Sequence, residues 1–156
     1  DLYAPWTATV GYRIEDYALD ADPYVLFRVP SATGAFDFLS GLLVGRLTTL
    51  PTREHPLAIG TSIGLAERGR IEVPTGYVVE SLPDVVDYHE GPIILSITYE
   101  FIPADENRGV PVVVYSKVFG VDAFQISPTE YHSMKEASRL ASRSIRGEVV
   151  LKREEG

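Results

Sequence analysis

Apolar residues recur at every second position through most of this chain, and at every third or fourth position through one stretch near its end. The period of two predicts strands with one buried face. Ala8, Val10, Tyr12 and Ile14 fall on one face of a first strand predicted over 7–17. A second is predicted over 24–29, closed by Pro30, which has no N–H to give to a ladder. Residues 36–50 are apolar but interrupted by Gly41, Gly45 and two threonines, so a short helix and a strand both stay open there. Over 57–73, Ile63, Leu65, Ile71 and Val73 alternate with Arg68, Arg70 and Glu72, the pattern of a strand pair or one long bent strand with a wet face. Pro74-Thr75-Gly76 then predicts a turn close to type II with Pro74 at its second position.

Short strands are predicted over 77–81 and 85–89, separated by Leu82-Pro83-Asp84. Ile93, Leu95, Ile97, Tyr99 and Phe101 share one face of a long strand, with Ser96, Thr98 and Glu100 opposite. After a polar loop at 105–109, residues 112–121 return as its antiparallel partner.

The period changes at Ser127. Ser127 suits an N-cap, Pro128 the first helical position and Glu130 the third, which makes a capping box, while Ile126 and Tyr131 have the spacing of a hydrophobic staple. Tyr131, Met134, Ala137, Leu140, Ala141 and Ile145 form an apolar stripe, so a helix is predicted over 128–145. Arg143 and Arg146 suit its negative end, and Gly147 suits a left-handed closing residue. Val149 and Leu151 begin a last strand expected to run out into solvent over 152–155. Many short strands with one late helix predict a mainly β chain: residues 1–156 as a single antiparallel β-sandwich domain, with the helix packed on an end or an open edge.

Composition narrows the function classes. The 156 residues are 45% hydrophobic and 23% charged, a globular profile, and a chain of this length buries roughly 70% of its unfolded surface without crosslinks. The net charge of −8, with no cluster of basic residues, argues against nucleic acid and anionic lipid surfaces as partners. No apolar run approaches the roughly 18 residues of a membrane span. The absence of cysteine removes disulfides, thiolate metal sites and a cysteine nucleophile. A start at Asp1 rather than Met is read as a processed chain or a fragment of a larger protein.

Candidate chemistry is sparse. No Gly-x-Ser-x-Gly elbow and no phosphate-binding glycine loop is present. His55 and His132 sit in ordinary polar contexts. Around His89, the residues Asp84, Asp87 and Glu90 place three carboxylates beside an imidazole, and Asp87 and His89 share a strand face. A second histidine is missing, so a charged edge strand that discourages pairing is preferred there to a metal site, and no cofactor or metal is expected. Trp6, Tyr77 and Tyr88 are candidates for a flat ligand-binding surface, with His89 beside them.

The entrance Arg53-Glu54-His55-Pro56-Leu57, the run from Val73-Pro74-Thr75-Gly76-Tyr77 through Val78-Val79-Glu80-Ser81-Leu82-Pro83, the helix start Ser127-Pro128-Thr129-Glu130-Tyr131 and the closing Val149-Val150-Leu151-Lys152 come in an order with a known counterpart. From about residue 52 onward, this order resembles the β-domain of unknown function that follows the transglutaminase-like core in large secreted bacterial proteins. The resemblance implies an extracytoplasmic accessory domain attached to a Cys–His–Asp core carried by another segment. The partners it implies are that neighbouring catalytic domain and a protein or polysaccharide ligand. No catalytic residue transfers, because the core's nucleophile is a cysteine. The expectation is therefore a non-catalytic accessory or interaction domain. Its rivals are a stand-alone carbohydrate- or peptide-binding sandwich and a hydrolase with a carboxylate or Ser/His site.

Overall fold

Strands β7 (Ile93–Ile102) and β8 (Val112–Val121) pair antiparallel in one unbroken register, from Ile93 opposite Val121 to Ile102 opposite Val112. The computed structural model to which they belong describes residues 7–11, 13–31, 34, 36, 47–104 and 109–154. Strand β4 (Ile63–Glu72) flanks β8, and β6 (Val86–Glu90) flanks β7, giving a sheet of order β4-β8-β7-β6. Gly91 at φ +57 followed by Pro92 closes the β6–β7 hairpin in two residues, the order a type II′ turn uses. A second antiparallel sheet has the order β1 (Leu19–Ala21), β2 (Tyr24–Arg28), β10 (Glu148–Arg153), β5 (Tyr77–Ser81). A short pair joins β3 (Leu57–Ala58) to β9 (Gln125–Ile126).

The two sheets pack face to face as a β-sandwich. Ile93, Leu95 and Ile97 of β7, Val113, Phe119 and Val121 of β8, and Val149 and Leu151 of β10 belong to one continuous core. Alternation in β4 exposes every second residue, as its pattern predicts.

The helix α1 (Tyr131–Ile145) packs on β6 and β7 with Tyr131, Met134, Ala137 and Ala141 buried. It covers the inner face of the β6 edge, because the inward Tyr99 hydroxyl lies 3.3 Å from Ser144 Oγ. The capping box forms with both bonds: Glu130 N–H donates to Ser127 Oγ (3.2 Å) and Ser127 N–H to Glu130 Oε2 (3.1 Å). It closes a tight turn in which Glu130 N–H also reaches Ser127 O, so the α-helix itself starts at Tyr131 rather than at 128.

Several sequence expectations are corrected. The described residues of 7–17 form no strand and are exposed, since they have no ladder partner to satisfy their backbone. Tyr77 N–H donates to Pro74 O, which puts Pro74 first in its turn and Gly76, at φ +82, third. Gly147 does not close the helix in the left-handed region. It is required by space: a Cβ there would stand 2.7 Å from Pro83 Cβ. The last strand does not run into solvent but lies inside its sheet, between β2 and β5. Most of 36–50, left open between helix and strand, lies outside the described residues.

Candidate functional site

A cavity of about 900 Å³ opens where the sandwich ends at β4. Val10, Arg13, Ile14 and Tyr17 form one wall; Phe27 and Pro30 from the β2 side, with Gly69, Ile71 and Tyr115, line the cavity from within. Arg68, Arg70 and Glu72 stand along its rim. The strand β4 is an edge: among the described residues it ladders only with β8, so the backbone groups on its other side have no strand partner. Ten residues long and without a register shift, it contains neither a bulge nor a proline, the usual devices that blunt such an edge. Charge is the device it does carry. Arg70 Nη2 bonds its own neighbour Glu72 at 3.2 Å, whereas Arg13 and Arg68 form no ion pair with the described residues.

Beneath this opening lies a polar group inside the sandwich. Glu67 stands opposite Lys117 in the β4–β8 register and both point inward. Lys117 is 2% exposed, with its ammonium 5.3 Å from the centre of the Tyr115 ring and 5.7 Å from that of Phe36. Ser31 Oγ donates to Glu67 Oε2 (2.8 Å), and the Tyr115 hydroxyl lies 3.2 Å from both Glu67 Oε1 and Pro30 O. Gly69 faces the Tyr115 ring, and a Cβ there would overlap it. The ring can come this close to β4 because residue 69 has no side chain. Sequence reasoning missed this cluster, although its signal was present: two opposite charges at inward positions of facing strands.

The residues singled out from sequence are dispersed. Trp6 lies outside the described residues. Tyr77, on β5, takes Arg153 over its ring at 5.8 Å, and its hydroxyl accepts from Arg153 Nη2 at 3.3 Å. Tyr88, on β6 in the other sheet, donates to Glu90 Oε2 at 2.6 Å. Desolvation and that bond push the Tyr88 phenol up to about 12, and the Tyr88 and Ser133 hydroxyls hold Glu90 below the usual carboxylate range. His89 and Asp87 point outward from the edge strand β6 with Nε2 and Oδ1 3.1 Å apart. Asp84 is drawn to Arg143 instead (3.0 Å), so the three carboxylates around His89 do not converge, and no group of three metal-ligating side chains occurs among the described residues. His55 and His132 are exposed.

The geometry of the β4 opening suits binding of an extended chain: a backbone edge to hydrogen-bond, an apolar interior for alternate side chains, and cations at the rim. No helix among the described residues is long and apolar enough to cross a membrane. A comparison of the chain with family models, curated proteins and solved structures finds no match.

Proposed function

We propose that this chain is a non-catalytic interaction domain that holds an extended stretch of polypeptide along β4. The observation that carries the reading is the 900 Å³ opening beside an edge strand of ten residues with neither bulge nor proline. The run through Val73-Pro74-Thr75-Gly76-Tyr77, by its resemblance to domains that follow a transglutaminase-like core, supports a place in a larger extracytoplasmic protein whose catalysis belongs to another segment. Two measurements test the reading. Titrating the ¹⁵N-labelled chain with a pool of random octapeptides is expected to shift amides of 68–73, Thr75 and Phe27; shifts confined to Tyr77 or Tyr88 would move the site to the aromatic surface. Incubating the purified chain with glutamine- and lysine-bearing peptides and with ester substrates is expected to give no turnover. Sustained turnover that survives repurification would make the chain an enzyme and end the proposal.

A further inference from the structure

Resting on the interaction-domain reading, we infer that the occupant of the β4 edge is an extended acidic segment, added as a fifth strand, in which apolar and acidic residues alternate. A strand laid beside β4 must adopt its pleat, so its residues fall in turn beside the outward Arg68 and Arg70 and beside the inward Gly69 and Ile71. The inward set meets Phe27, Ile71 and the Tyr115 ring that covers Gly69, an apolar lining. The outward set meets arginines, one of which, Arg68, has no counter-ion among the described residues. Arg13 adds a second such cation from the opposite wall. These cations stand out in a chain of net charge −8, and directly opposed unlike charges stabilise a strand pair whereas like charges oppose it. The rim therefore admits an acidic strand and repels a basic one, which also keeps copies of this edge from pairing arginine to arginine.

The experiment uses three capped octapeptides: alternating Val and Glu, alternating Val and Lys, and four Val followed by four Glu. Chemical shifts and amide exchange of the labelled full chain are read for each. The alternating Val-Glu peptide is expected to protect alternate amides of β4 between Arg68 and Glu72, and Arg13→Glu with Arg68→Glu to weaken it about tenfold, the loss of two exposed ion pairs. Arg68→Gln, which removes charge without reversing it, is expected to give a smaller loss with an unchanged native spectrum. Equal protection by the Lys peptide or the blocked peptide overturns the acidic-strand inference while leaving the groove as a binding site. No response at the groove to any of the three overturns the interaction-domain reading as well.

Discussion

At Lys117 a charged side chain sits where its neighbours Val113, Phe119 and Val121 are core, and its position is held by packing as much as by charge. The methylene stem fills the interior and the ammonium lies over two aromatic rings. Replacing Lys117 by Ala removes both, and is expected to cost about 3 kcal/mol; Lys117→Met keeps the stem and is expected to cost about half of that. Denaturant unfolding of the two variants separates the contributions, and equal losses would show that the charge alone matters. The Tyr88 phenol gives a pH dependence with a definite sign. Its folded value of about 12 lies above the ordinary 10.0, so its contribution to stability is complete below pH 10 and is lost as pH rises toward 12. Tyr88→Phe is expected to flatten that alkaline limb of the unfolding midpoint. On the acid side the signs reverse: Glu90, Glu130 and Glu136 are held low, chiefly by hydrogen bonds from Tyr88, Ser127 and Arg139, so they stabilise above pH 4.5 and stop doing so as pH falls below it. A midpoint insensitive to Glu130→Gln near neutral pH and in acid alike would contradict this.

Among the elements, α1 shows how local chemistry and tertiary space divide the work. The reciprocal Ser127–Glu130 bonds form as the spacing predicts, but they close the turn before α1, whose N-cap is Glu130 with no side-chain cap bond, rather than making Ser127 the N-cap. Ser127→Ala is expected to cost about 1 kcal/mol in thermal unfolding, because it leaves the Glu130 N–H without its side-chain acceptor. Its end is set from outside. Arg146 and Gly147 N–H groups bond back to Arg143 and Ser144, and Arg146 Nε caps the Ser142 carbonyl, so no left-handed residue is needed. Gly147 is there because Pro83 passes close by, a contact invisible to any pattern within the helix. The same division explains what was legible elsewhere. Alternation located β4, β7 and β8 because one face of each meets the core and the other meets water. It failed for 7–17, where Val10 and Ile14 have strand spacing but are about half exposed. A strand needs a partner edge, and pattern alone does not supply one. The groove was half legible for this reason: Arg68 and Arg70 were read as a wet face, but their approach to Arg13 and Ile14 is a product of the fold.

Taken whole, the sandwich is unequal from its centre to its rim. Strands β7 and β8 have neighbours on both sides and carry much of the core. The described residues of 7–17 have exposed side chains and form no strand, and β1 is three exposed residues at a sheet edge. Local opening free energies follow buried apolar contact and shielded hydrogen bonds, so amide exchange is expected to be slowest in β7 and β8 and fastest in 7–18. The proposed binding edge sits between these extremes: β4 is bonded on one side to β8 and, among the described residues, has no strand on the other. On the proposed reading a ligand strand docks on a template already paired with β8, so binding need order only the incoming segment. Exchange measured on the free chain is expected to show β4 amides in two classes, those bonded to β8 protected and those facing the groove fast, alternating along the strand. Uniform fast exchange across β4 would mean that the edge is ordered only when occupied, and uniform protection would mean that segment 7–17 already closes it in the free chain.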